Sequence, residues 1–232
     1  MIRFSVRGLA VALAAVVAIA VVPSAAQAVS PGLLSNVDPA LTAPLPTTVA
    51  VVAHSAPVGA DVGVIVRNGT AQAVDNIKIT ATAEAPDGGS VVRAGTTAVV
   101  PEALAAGSLA IANLDFGKAK LPSGTTFSFK VTSTRAKLST HHAELEVREA
   151  LLSRPMEGAV AQELAVTVAN LGAKTYTGPI TVTAMCFGEA KNPAFVTTAR
   201  VKKAKVVPGA TTPVTVTLSS LCPKYMVGAS GG

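Results

Sequence analysis

Tryptophan is missing from this 232-residue chain, tyrosine occurs twice, and aromatic residues make up 3% of the whole. Carbohydrate sites in sandwich proteins usually offer exposed aromatic faces, and sites for single-stranded nucleic acid stack bases on aromatic rings. Neither carbohydrate nor nucleic acid is therefore an expected partner. Charge is also sparse, at 14% of residues with a formal net charge of +6. With Arg3 and Arg7 at the N-terminus set aside, 17 basic residues face 13 acidic ones, a weak excess. The densest basic run, Arg200, Lys202, Lys203 and Lys205, is interleaved with Val201, Ala204 and Val206 and reads as the solvent face of a strand. Half the residues are apolar, which excludes a disordered chain and suffices for one large core or two ordinary domains.

Long apolar runs are absent beyond the N-terminus. There, Arg3 and Arg7 precede an uncharged stretch from Gly8 to Val22, followed by Pro23 and Ala26-Gln27-Ala28. This is the order of a secretory signal peptide, and about 15 apolar residues fall short of the roughly 20 that span a bilayer. Cleavage is expected between Ala28 and Val29, leaving a secreted or cell-envelope protein with no membrane span in the mature chain. Cysteine is limited to Cys186 and Cys222. In an oxidising compartment an even pair within one domain is expected to form a disulfide, whereas a metal site would need further ligands close by.

Residues 29–46 carry Pro31, Pro39, Pro44 and Pro46 and read as a linker or an extended lead-in strand. From Thr47 the apolar period becomes two. In Ile77 to Glu84 the odd positions are apolar and the even ones polar, and Val62, Val64 and Val66 alternate ahead of Asn68-Gly69, a pair suited to a tight positive-φ turn. Pro86-Asp87-Gly88-Gly89 is a second turn signal, and Phe127, Phe129 and Val131 alternate in a late strand. The one candidate for a helical turn is Pro101 to Ala106.

The second half repeats the first. Leu164, Val166 and Val168 follow Val62, Val64 and Val66 at 102 residues, as Asn170 follows Asn68 and Gly209 follows Gly107; Ile180, Val182 and Ala184 follow Ile77, Ile79 and Ala81 at 103. The pattern predicts an all-β protein of two tandem immunoglobulin-like β-sandwich domains after a signal peptide. The expected layout is signal peptide 1–28, Pro-rich linker 29–46, domain one 47–140 and domain two 141–232, each domain folding independently.

These motifs resemble the FxLYD-type domain, a bacterial immunoglobulin-like module. The resemblance rests on Val64-Ile65-Val66-Arg67-Asn68-Gly69, the strand Ile77 to Ala83, Pro86-Asp87-Gly88-Gly89 with Val91-Val92, and Ala103 to Gly107. In the second unit it rests on Val168-Ala169-Asn170-Leu171-Gly172 and Val207-Pro208-Gly209. Where that family has Tyr-Asp before its turn, the chain has Ala85-Pro86-Asp87 and Phe187-Gly188-Glu189, and the first unit has Ala-Gly where Pro-Gly is usual. The resemblance implies fold and supplies no catalytic residue.

No nucleophile and base, phosphate-cradling loop or zinc signature stands out. Glu144, Glu146 and Glu149 fall on one strand face, which reads as solvated rather than as an acid/base pair. His141 and His142 could meet His54 at a weak copper or zinc site, but neighbours in a strand point apart and an exposed linker explains them. Asn68-Gly69-Thr70 fits a glycosylation sequon as well as a turn. The expected function is non-enzymatic, without a cofactor: binding of an unknown protein or envelope component through loops or sheet edges. The alternatives are an architectural spacer, then a secreted enzyme or metal carrier.

Overall fold

The computed structural model describes residues 32–41, 45–89, 91–136, 145–154 and 161–231. The expected signal peptide, the Ala28/Val29 cleavage point, His141, His142 and Glu144 lie outside the described residues. Within them the chain is all-β, with fourteen strands and no helix. In chain order these are β1 (Leu33–Ser35), β2 (Val49–His54), β3 (Asp61–Asn68), β4 (Val74–Glu84), β5 (Val91–Thr96), β6 (Val99–Val100), β7 (Leu109–Asp115) and β8 (Thr126–Arg135). There follow β9 (Leu145–Leu152), β10 (Gln162–Asn170), β11 (Tyr176–Phe187), β12 (Pro193–Val206), β13 (Thr211–Leu218) and β14 (Lys224–Gly231). The stretch Pro101 to Ala106 is irregular and touches the sheets through a bridge between Leu104 and Val74.

Four antiparallel sheets result, ordered β5-β4-β8, β2-β3-β7-β6, β1-β14-β11-β12 and β13-β10-β9. Period-two alternation explains the outer pair. Ile77, Ile79, Ala81 and Ala83 of β4 face Val62, Val64 and Val66 of β3 across one core, while Lys78 and Glu84 are exposed. Leu164, Val166 and Val168 face Ile180, Val182 and Ala184 across another. The repeated triplets thus occupy equivalent positions in two sandwiches. Their strand orders are those of an immunoglobulin-type fold, with strands A-B-E on one sheet and C and F on the other.

A third core lies between the sandwiches. Ile65, Val100, Leu109 and Ile111 from the first half bury against Met185, Phe187 and Met226 from the second, with Leu33 and Val52 at the same contact. Strands β3, β7, β11 and β14 are therefore apolar on both faces, and each carries an unbroken apolar run such as Leu109 to Ala112 or Met185 to Phe187. The repeat leads to an expectation of independent folding, to which the structure adds a core shared by the two halves. A fragment of residues 143–232 would lack β1 and lay bare Met185, Phe187 and Met226.

Two glycines allow the middle sheets to approach. A Cβ on Gly63 would stand 2.8 Å from Val196 Cβ and 2.9 Å from Met185 Cε, and one on Gly228 would stand 2.3 Å from Val100 Cγ1. Gly63→Val is expected to cost about 2 kcal/mol, the usual range for overpacking a filled core. Denaturant unfolding checks it against Gly188→Ala, where the added Cβ meets no atom within 4 Å. Equal midpoints for the two variants would contradict the shared core.

Of the two readings of the lead-in segment, linker or extended strand, Leu33–Ser35 takes the strand. Leu33, Leu34 and Ser35 pair antiparallel with Gly228, Val227 and Met226. Leu34 packs on the core of the second sandwich and Leu33 on the middle core. The N-terminal segment thus supplies the last strand of the C-terminal sandwich, the G position beside F, before the chain crosses to the first sandwich at β2.

Candidate functional site

Among the described residues, the corresponding G position in the first sandwich is open. Its F strand, β8, pairs with β4 on one side and has no strand on the other among the described residues. Hydrogen-bond phase identifies the unpaired groups. The Ala136 N–H donates to the Ala73 carbonyl at 2.9 Å, so even-numbered residues of β8 turn their backbone toward β4. Phe127, Phe129, Val131 and Ser133 accordingly turn theirs toward the open side.

The equivalent residues of β14 are satisfied. Ala83 pairs with Phe127 and Cys186 with Tyr225, so Tyr225 occupies the place of Phe127. Asn36 closes that edge, its N–H donating to the Tyr225 carbonyl at 3.1 Å and its Oδ1 accepting from the Tyr225 N–H at 2.6 Å. One edge is sealed by a segment from the far end of the chain, and its twin pairs with no second strand among the described residues.

Half-buried Phe127 and Phe129 lie on this edge strand, with exposed His54 and buried Phe116 beside them. Phe127 and Phe129 stack 6.2 Å apart, His54 of β2 lies 5.3 Å from the first ring and 5.5 Å from the second, and Phe116 lies 5.9 Å from Phe127. Three of the six phenylalanines in the chain meet here. The outward face around β8 carries exposed Lys78, Arg93 and Lys130 against Glu84. A long edge of this kind is what proteins commonly blunt with charge or cover, and what extended peptides use when they add to a sheet.

The other residues singled out in the sequence resolve as follows. Cys186 and Cys222 meet as a disulfide with Cα atoms 5.3 Å apart, both fully buried. The bridge ties β11 to the loop before β14, where the Cys222 N–H donates to Gln162 Oε1 at 3.0 Å. Beside it, burial pushes the Tyr225 phenol above its ordinary pKa, and its hydroxyl donates to the Ala150 carbonyl at 2.7 Å. Arg200, Lys202, Lys203 and Lys205 are exposed on the edge strand β12. A register shift in β9 leaves both Arg148 and Glu149 outside, and Arg148 pairs with Glu146 at 3.5 Å on a solvated face.

Asn68 differs from expectation. It ends β3 fully buried, at negative φ, and Nδ2 donates to the carbonyls of Gln72, Leu104 and Ala105 while Oδ1 accepts from Thr70. A satisfied buried amide replaces the exposed turn, so the folded chain does not present it for glycosylation. Asn170 does the same job, donating to Lys174 and Val206. The repeat spacing that pairs Asn68 with Gly107 and Asn170 with Gly209 is also a bond: each glycine N–H donates to its asparagine carbonyl, at 2.7 and 2.9 Å.

A cleft of about 240 Å³ is lined by Asp75, Asn76, Thr97 and Glu102 among others, and the Asp75 carboxylate there accepts from Thr134 and Asn76. Among the described residues no group of three His, Cys, Asp or Glu side chains could hold a metal ion, and no helix is long and apolar enough to cross a membrane. No protein-family model matches the chain, and no curated protein matches it either.

Proposed function

We propose that this is an exported, non-enzymatic interaction protein of the secreted or cell-envelope fraction, built of two immunoglobulin-like modules of the kind the FxLYD resemblance suggests. The carrying observation is the contrast of edges among the described residues: β14 closed by β1, β8 open and aromatic. A buried disulfide fits an oxidising compartment. The spacer reading draws on the apolar middle core, which favours a rigid body over two loosely tethered domains.

Capture from secreted and envelope fractions separates the two. An interaction protein retains a defined partner and crosslinks to it through a photoreactive residue at Thr132, which is exposed on β8. Crosslinks absent from Thr132, with no partner retained, would favour the spacer.

A further inference from the structure

We infer that the β8 edge accepts an extended segment of a partner protein, antiparallel, apolar where it lies opposite Phe129 and acidic where it lies opposite Lys130. This rests on the interaction reading and names the chemistry of the partner.

The chain contains its own template for such a segment. On β14, Leu34 lies opposite Val227 and Leu33 opposite Gly228. The pairing that equates Tyr225 with Phe127 equates Val227 with Phe129 and Gly228 with Lys130. A segment seated on β8 in the same register therefore places one side chain inward against Phe129 and His54, which lie 5.5 Å apart. The next side chain points outward at Lys130. Around Lys130 that outward face is cationic, with exposed Lys78, Arg93 and Lys130 against Glu84, while the Asp75 carboxylate lies further along the sheet, held by Thr134. On the second sandwich the same outward position faces the middle core and takes leucine; on the first it faces water and cations and takes an acid. The contact of β14 with β9 is matched by that of β8 with β2, and β1 also touches β9, so the strand that would flank an added segment on β8 is already in place as β2. Backbone bonds to Phe127, Phe129 and Val131 supply affinity, and the alternating side chains supply selectivity.

Fluorescence anisotropy with labelled peptides tests this on the full mature protein. The probes are the segment Pro31–Leu41 and the same peptide carrying Leu33→Glu. The Leu33→Glu peptide is expected to bind about tenfold more tightly than the unmodified one, and Lys130→Glu in the protein to reverse that order. Val131→Pro removes a donor on the open side while sparing the β4 ladder, and is expected to weaken both peptides about tenfold or more. Circular dichroism checks that this variant is folded; Lys130→Glu leaves the backbone untouched and tests the site independently. Failure of both peptides to bind, or binding indifferent to Val131→Pro, would overturn the inference. So would a protein that sediments as a dimer and becomes monomeric with Val131→Pro, because the occupant would then be a second copy. A partner crosslinked at Thr132 alongside failed peptides would leave the interaction reading standing and reject only this chemistry.

Discussion

Reducing the Cys186–Cys222 disulfide is expected to lower the melting temperature by about 10 °C. The bridge joins residues 36 apart in sequence, and the chain-entropy treatment assigns a loop of that size about 4 kcal/mol, with measured values often smaller. For a protein of this length each kcal/mol moves the midpoint by roughly 2–4 °C. Both sulfurs belong to residues with no solvent exposure, packed in the core of the second sandwich with Tyr225 and Ala150. Opening the bridge also loosens the loop whose Cys222 N–H is held by Gln162. The repeat alone would confine the effect to the second half. Because Met185 and Phe187, beside Cys186 on β11, belong to the middle core, the account predicts one transition that shifts as a whole. Calorimetry with and without reductant reads this, and the double variant Cys186→Ala/Cys222→Ala should match the reduced protein. A shift below about 2 °C would contradict the placement of the bridge.

Asn170→Ala is expected to cost about 3 kcal/mol, and Asn68→Ala less, about 2 kcal/mol. The Lys174, Gln72 and Ala105 carbonyls lie on exposed residues where water can replace the lost amide. The decisive bond is that of Asn170 to Val206, a buried carbonyl 36 residues along the chain; the Leu104 carbonyl, at the same separation from Asn68, keeps the Val74 N–H at 2.9 Å when the Asn68 amide is removed. Leaving a buried acceptor unpaired costs about 1–3 kcal/mol, and the void left by the amide adds to it. Asn170→Asp discriminates the mechanism from simple packing: it preserves shape but sets an oxygen against the Val206 carbonyl, and should destabilise at least as much as alanine. Urea unfolding measures all three, and an aspartate variant as stable as the parent protein would remove the amide donors from the account.

These outcomes mark what was legible in the sequence. Core positions of β3, β4, β10 and β11 followed from alternation, because a strand that wets one face must alternate. The equivalence of the halves followed from residue spacing. The middle core was visible only as the apolar residues Gly63, Ile65, Ile111, Met185 and Phe187 at positions where alternation called for polar ones. Asn68 was read as a turn residue because Asn-Gly favours one, and the competing principle, satisfaction of buried carbonyls, needs partners 36 residues away. The seat of β1 could not be read at all: Leu33-Leu34-Ser35 is too short to show a period, and its pairing with residues 226–228 depends on where the two sandwiches have already packed.

One F-strand edge is filled and its twin, among the described residues, is open, a contrast that residue-resolved amide hydrogen exchange reads strand by strand. The account predicts fast exchange at Phe127, Phe129 and Val131 of β8, slow exchange at Lys130 and Thr132 on the same strand, and slow exchange at Tyr225 and Val227 of β14. It further predicts that removing residues 29–41 makes Tyr225 and Val227 fast while leaving β8 unchanged. Protection at Phe129 and Val131 equal to that at Val227 in the intact, monomeric protein would mean that the β8 edge is already covered, and would contradict the account.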